Sequence, residues 1–410
     1  MRVLMFGWEF PPHNSGGLGV ACKGIVTGLA QEGVDVIFVL PQLMDTGDAL
    51  KDVRFADPHT PLTGDAASLY NPYLSPIRWR AVRLRGGKQR GFPSIPGTSL
   101  IDRVVWYALR AAEIAKDDDF DVIHAHDWLT YPAGLAAKEV SGKPLVVHVH
   151  ATEFDRTGNG QPNREVYEIE KAGMYAADQV ICVSEFTRQS VISHYGVDPA
   201  KVTVVHNAGE PPLDAAEAPF CIAELKAAEK KIVLFVGRLT LQKGPDWFVK
   251  VARRIANERP DTHFVVAGSG DMEGQMRREV REAGLDGKFA FAGFLRDGQL
   301  AAAYRLADVY LMPSVSEPFG LTALEAMSHG LPSVVSRQSG VAEVIRHCFK
   351  ADFWDVDATA SKILAVLNYP ALKETLRQEG RRDAQRSGWR DTGRKLRNLY
   401  DSVVSRTGGK

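Results

Sequence analysis

Two acids, Glu317 and Glu325, bracket the stretch Pro318-Phe319-Gly320-Leu321-Thr322-Ala323-Leu324, directly behind an apolar run. Leu321 to Met327 reads as a helix, and Gly320 at its entrance lets the backbone approach a ligand closely. The first N–H groups of a helix have no intrahelical acceptors, and with the positive end of the dipole they cradle a diphosphate; the backbone of Gly320, Leu321 and Thr322 stands there. Glu325 then falls one turn further in, roughly 5 Å along the axis, where it suits hydroxyls next to the phosphates. Glu317 precedes the helix and faces the group on the other side. Two acids at this spacing alone are commonly solvated side chains; the intervening apolar pattern and the strand ahead favour a site.

A second constellation is Val236-Gly237-Arg238-Leu239-Thr240-Leu241-Gln242-Lys243-Gly244. A strand delivers Arg238, and a short loop returns Lys243 beside the next helix start. Two fixed cations against a diphosphate neutralise the charge that develops on a leaving group, a task a divalent metal otherwise performs. A third is Asn14-Ser15-Gly16-Gly17-Leu18-Gly19, a glycine-rich turn where Gly16 and Gly17 let backbone meet phosphate. Its spacing is not the dinucleotide fingerprint, so a dinucleotide cofactor is disfavoured. His126 and His150 close two further apolar runs and share one edge. No third ligand stands at zinc spacing, and no Asp-x-Asp cluster ends a strand, so no metal is expected. Gly158 and Gly160 mark a loop after His150.

The elements that must position these residues alternate along the chain. Strands are expected at 3–6, 34–40, 121–126, 145–150, 179–184 and 202–206, then at 232–236, 263–267, 289–292, 309–312 and 332–336. Segments of helical period fill the gaps; Phe248, Val251, Ala252 and Ile255 form one apolar face with Arg253, Arg254 and Glu258 opposite. The fold class is α/β, with two doubly wound parallel sheets, and ligands of such sheets bind beyond the carboxyl ends of the strands. Pro211, Pro212 and Pro219 place the boundary between Asn207 and Phe220. The division is 1–212, 213–388 and a C-terminal helix at 389–410 that packs back on the first domain. The stretch 45–98 carries no readable periodicity.

A length of 410 residues with 45% apolar content supports two cores. Fifty basic and 50 acidic side chains leave no global field, which speaks against nucleic acid as a partner. Cys22, Cys182, Cys221 and Cys348 are scattered and read as reduced, buried thiols. No apolar run reaches the length of a membrane span, so a soluble, cytoplasmic protein is expected.

With these motifs in place, the chain resembles the GT-B fold glycosyltransferases of family four over nearly its whole length. The likeness rests on the Gly16-Gly17 loop, Val183-Ser184-Glu185-Phe186-Thr187, Val205-His206-Asn207, the Gly237 to Gly244 stretch and, above all, Glu317 to Glu325. It implies two Rossmann-like domains, an acceptor domain first and a sugar-nucleotide donor domain second. It implies that Arg238 and Lys243 bind the donor diphosphate, Glu317 the transferred sugar, Glu325 the ribose, and that His150 sits near the reacting oxygen. It further implies retention of configuration without a metal or other cofactor. A narrower likeness, through Trp8-Glu9-Phe10-Pro11-Pro12 and His126-Asp127-Trp128, is to bacterial and archaeal glycogen synthases, which implies ADP- or UDP-glucose as donor and an α-glucan acceptor, with Trp128 offering a face to a sugar ring. Asn14 and Leu129 depart from that pattern, which usually has Lys and His there. Three other readings stand beside it. The basic run from Arg78 to Arg90, with Trp79 and Phe92, suits a lipid or phosphorylated acceptor or a peripheral membrane contact; a sugar-nucleotide epimerase shares the fold; and a non-catalytic glycan-binding protein would reuse the scaffold.

Overall fold

The computed structural model describes residues 1–13, 16–46, 50–61, 99–158, 160–386 and 388–407. Among the described residues, thirteen strands form two all-parallel sheets. The first is built from β1 (Arg2–Phe6), β2 (Asp35–Leu43), β3 (Asp52–Pro61), β4 (Val122–His126), β5 (Leu145–Val149), β6 (Gln179–Cys182) and β7 (Val202–Val204), in the order β3-β2-β1-β4-β5-β6-β7. The second comprises β8 (Lys231–Val236), β9 (Thr262–Ala267), β10 (Phe289–Gly293), β11 (Val309–Met312), β12 (Ser333–Ser336) and β13 (Phe349–Ala351), in the order β10-β9-β8-β11-β12-β13. The order reverses beside β1 in one sheet and beside β8 in the other. Those switch points open the crevices in which ligands of such sheets sit.

The expected α/β architecture is present, and the two strands absent from the sequence reading, β3 and β13, both lie at sheet edges. An edge strand accommodates acidic residues such as Asp52 and Asp57, which a central strand rarely carries. β13 is three residues long, too short to display a period.

Each sheet is apolar on both faces. In the first, Leu4, Phe6, Ile123 and Val147 pack under the helices Leu100–Asp117, Tyr131–Ser141 and Arg164–Ala176, while Val3, Met5, Phe38, Val122 and Val146 face Gly17–Gln31 and the last helix, Trp389–Thr407. That last helix lies on the first sheet's helical layer, with Trp389, Leu396, Tyr400 and Val403 buried there. Gly28 makes the approach possible, since a Cβ at this position would stand 2.0 Å from the Trp389 carbonyl oxygen. Cys22 and Cys182 are buried free thiols; Cys221 and Cys348 are only partly buried, because they flank the second core instead of pointing into it. Among the described residues no helix is long and apolar enough to cross a membrane.

Candidate active site

The carboxyl ends of the two sheets face each other across a cleft of about 720 Å³. Its walls include Gly16, Gly17 and His150 from the first half and Arg238, Lys243, Glu317, Gly320, Leu321, Thr322 and Glu325 from the second. Every residue singled out from the sequence as catalytic or donor-binding therefore lines this one space.

On the second side, β8 hands over to Gly237 and Arg238, and a tight turn at Leu241–Lys243 carries the chain back to the cleft. The Gln242 carbonyl accepts the Val315 N–H at 2.9 Å, which binds this turn to the loop that follows β11. Lys243 Nζ then reaches Glu317 Oε2 at 2.5 Å, and Ser314 Oγ donates to the same oxygen at 3.2 Å. Glu317 is 5% exposed, and removing one partner of such a buried pair strands the other. Gly320 caps the Leu321–Ser328 helix with φ +109, and a Cβ there would press on Val341, Met312 and Glu317 at 3.1 to 3.3 Å. The helix thus begins at a position that glycine alone occupies comfortably, and Leu321 and Thr322 of its first turn line the cleft. One turn on, Glu325 accepts the Tyr304 hydroxyl at 3.0 Å; burial raises its carboxyl above the ordinary range, against the pull of that hydrogen bond. Thr322 Oγ1 meets the Tyr310 hydroxyl at 2.8 Å.

On the first side, His150 stands just past β5. Its backbone N–H donates to Asp127 Oδ1 at 2.7 Å, and Asp127 holds φ +58, a left-handed conformation that Asp adopts more readily than most residues. Its ring is held by His126, with Nδ1 of His126 and Nε2 of His150 2.9 Å apart. Burial lowers the His150 pKa to about 3, so the ring that faces the cleft is neutral and hydrogen-bonds without carrying charge. Burial also raises the Asp127 carboxyl to about 6, offset in part by Arg156 and by the two backbone amides it accepts. Arg156, its side chain 13% exposed, lies 3.6 Å from Asp127 and 2.9 Å from Glu170, and its charge is favoured by these acids although burial opposes it. The loop after His150 reaches the other half: Gly158 packs beside Leu241, and Ser316 Oγ donates to Asp155 Oδ1 at 2.5 Å. Arg296 donates to the Pro12 carbonyl at 2.7 Å, a further crossing contact.

Several sequence expectations meet a different outcome. Trp128 is 3% exposed within the core that holds Leu4, Phe6 and Tyr131, and offers no face to a sugar ring; the left-handed turn at Asp127 directs the chain inward just before it. His126 is fully buried behind His150 and does not reach the cleft. The search for a third zinc ligand by spacing misses His148, because β4 and β5 pair His126 with His148 across 22 positions of sequence. Asn14, Ser15 and the run Arg78 to Arg90 lie outside the described residues. Tyr304, Asp155, Arg156 and Arg296 were not singled out, and no local pattern marks them: each acquires its role from a partner far along the chain.

Comparison with known proteins agrees with this geometry. Residues 15–210 match the Glycosyltransferase Family 4 model and residues 222–383 the model for glycosyl transferases group 1. An uncharacterized glycosyltransferase of Methanocaldococcus jannaschii is 30% identical over the full length of both chains. The glycogen synthase of Mycobacterium tuberculosis is 28% identical over 91% of this chain and 88% of its own. Among solved structures, a sucrose-phosphate synthase from Thermosynechococcus elongatus superposes with a TM-score of 0.74 at 20% identity, covering 98% of this chain and 99% of that one. Two parallel-sheet domains, a cleft that gathers the expected residues and a full-length relative together place the chain in the GT-B glycosyltransferases of family four, and the protein is a glycosyltransferase.

Proposed function

We propose that the protein transfers a hexose, most simply glucose, from a nucleoside-diphosphate sugar such as ADP- or UDP-glucose to a hydroxyl of an α-glucan, with retention of configuration and without a metal. The observation that carries this reading is the juxtaposition of Arg238, Lys243 and the amino end of the Leu321–Ser328 helix around one cleft. Cations and helix amides fixed before the donor arrives stabilise a leaving diphosphate with no reorganisation at the moment of reaction. Lys243, paired with Glu317, is held at the place where such a group would depart. Glu317 itself is poised toward the sugar, and Glu325, steadied by Tyr304, toward the ribose. His150 presents a neutral ring that donates or accepts a hydrogen bond near the reacting oxygen. With the leaving phosphate helping to deprotonate the acceptor, the enzyme needs no separate strong base.

The glucan acceptor is supported by the likeness to a glycogen synthase over most of both chains. The test is product analysis with labelled ADP- and UDP-glucose across maltooligosaccharides, monosaccharide phosphates and lipid acceptors, at saturating donor, with and without EDTA. Extension of maltooligosaccharides by α-linked units in EDTA is expected. Elongation of the other acceptors alone would overturn the α-glucan reading, and loss of activity in EDTA restored by Mg²⁺ or Mn²⁺ would overturn the metal-free one.

A further inference from the structure

Behind His150, on the sheet face covered by the last helix, lies a group of rings for which the transferase reading has no use. β4 alternates Val122, His124 and His126 on one face, and β5 places Val146 and His148 on the same face in register. The side chains of His124, His126 and His148 are fully buried where apolar residues are the rule. Their rings lie 4.2 to 5.4 Å apart between centroids. One nitrogen from each comes within 4.8 Å of the other two.

The hydrogen bonds divide the ring nitrogens in a specific way. His124 Nδ1 meets the Tyr400 hydroxyl at 2.6 Å, and His126 Nδ1 meets His150 Nε2 at 2.9 Å. His124 Nε2, His126 Nε2 and both nitrogens of His148 have no protein partner, although all are buried. A buried polar atom left in that state is destabilising, so four of them in one cluster call for an account. Imidazoles that ligate a metal bind it through one nitrogen and use the other to hydrogen-bond an orienting group, which is the division seen at His124 and His126.

We propose that His124, His126 and His148 form a buried three-histidine site for a borderline divalent ion, Zn²⁺ first among them. Three neutral nitrogen donors suit zinc, copper and nickel and do not suit Mg²⁺ or Ca²⁺, which prefer oxygen. Zinc bonds of about 2.0–2.1 Å place tetrahedral ligands roughly 3.3 Å apart, so the rings close by at most about 1.5 Å around the ion. With no solvent path to these side chains, the ion is taken up as the chain folds. Its role is architectural: it ties β4 to β5, with Tyr400 and His150 as the outer partners of its ligands. It is separate from the diphosphate site and from the metal-free transfer proposed above.

The experiment reads metal content directly, with no donor present. The full chain is expressed in zinc-supplemented medium, washed briefly with EDTA to remove surface metal, desalted and unfolded in guanidinium with a chromogenic zinc chelator. About one zinc per chain is expected from a single site. His148→Val is the informative variant, because His148 has no side-chain hydrogen-bond partner to orphan and Val suits a buried strand. It should lower zinc content at least tenfold while keeping the native circular dichroism. Refolding of the wild type in Co²⁺ should give the visible bands of a tetrahedral ion, absent in the variant. Less than about a tenth of a zinc per chain in the wild type, after both zinc-rich growth and refolding in zinc, overturns the site. So does equal zinc in wild type and His148→Val, which would place the ion elsewhere. Because transfer in EDTA is measured separately, failure of this site leaves the functional reading intact, and the reverse holds too.

Discussion

The two sheet edges that meet at the cleft are built from opposite materials. The edge after β8 and β11 is charged: Arg238, Lys243, Glu317 and Glu325 stand within one wall, and its buried acid is matched by a lysine at 2.5 Å. The edge after β4 and β5 is a stack of neutral rings, with His150 outermost and Asp127, raised to about 6 by burial, holding the backbone behind it. A donor diphosphate brings charge and needs fixed countercharge; an acceptor hydroxyl is neutral and needs orientation. On the proposed reading, the contrast teaches that each half is matched to the charge of what it would hold.

Removing Lys243 attacks the charged edge most directly. Lys243→Ala is expected to lower kcat/KM by on the order of 10²- to 10³-fold, with donor affinity and turnover falling together, because the lost cation faces charge present in the bound donor and growing as it leaves. The variant also strands buried Glu317, so its Tm should fall, and the double variant Lys243→Ala/Glu317→Ala should recover Tm without recovering activity. Glu317→Ala alone should leave affinity for the free nucleoside diphosphate near wild type while transfer fails. Calorimetric titration with nucleoside diphosphate separates the two, and equal loss of affinity in both would erase the distinction drawn between sugar and phosphate contacts.

Gly320→Ala tests whether the helix start needs its conformation. With φ +109 and three neighbours at 3.1 to 3.3 Å, the substitution should cost about 1–3 kcal/mol in denaturant unfolding and weaken donor binding in step. An unchanged midpoint would mean that the loop relaxes freely. Ser316→Ala removes the contact that joins the halves across Asp155 and should cost roughly 1.5–3 kcal/mol of the closed arrangement, seen as a raised KM with little change in secondary structure.

The smallest effect concerns pH. Glu343 accepts the backbone amides of Glu185 and Phe186 at 2.9 and 2.8 Å and pairs with His206 at 2.9 Å, linking the halves away from the cleft. Burial works to raise its pKa, but His206 and the two amides outweigh it and the carboxyl is held below its ordinary value. A depressed carboxyl contributes stability in full above the unfolded value of about 4.3 and loses it as pH falls through the lower folded value. The stability difference between wild type and Glu343→Gln should therefore shrink as pH falls below about 4 in thermal melts. A difference that grew below about pH 4 would reverse the sign of the interaction.

How much of this was legible in the sequence follows the same contrast. The charged wall lies on two contiguous motifs, each a strand end, a turn and a helix start, so local spacing was enough to name Arg238, Lys243, Glu317 and Glu325 together. The ring stack depends on the register between β4 and β5, which pairs His126 with His148 and which no window of a few residues contains. Trp128 failed for a related reason: position after a strand end suggested exposure, and only the left-handed turn at Asp127 shows the chain turning into the core. β3 and β13 were missed because edge strands relax the apolar pattern on which strand reading relies. Tyr304 and Arg156 have no sequence signature, since their value lies in partners 21 and 14 positions away on other elements.

The return of the last helix to the first sheet has a mechanical consequence. The chain passes between the halves twice, once after β7 and once before Trp389, and the two passages run side by side: Gly209 lies against the Ala384 carbonyl, and Thr392 donates to the His206 carbonyl at 3.0 Å. Two adjacent covalent spans act as the spine of a book. Rotation about a line through them would strain neither span, whereas twist and lateral slip would strain both, and a protease that cuts only the Asn207 to Phe220 connection leaves the two covers bound along the other span.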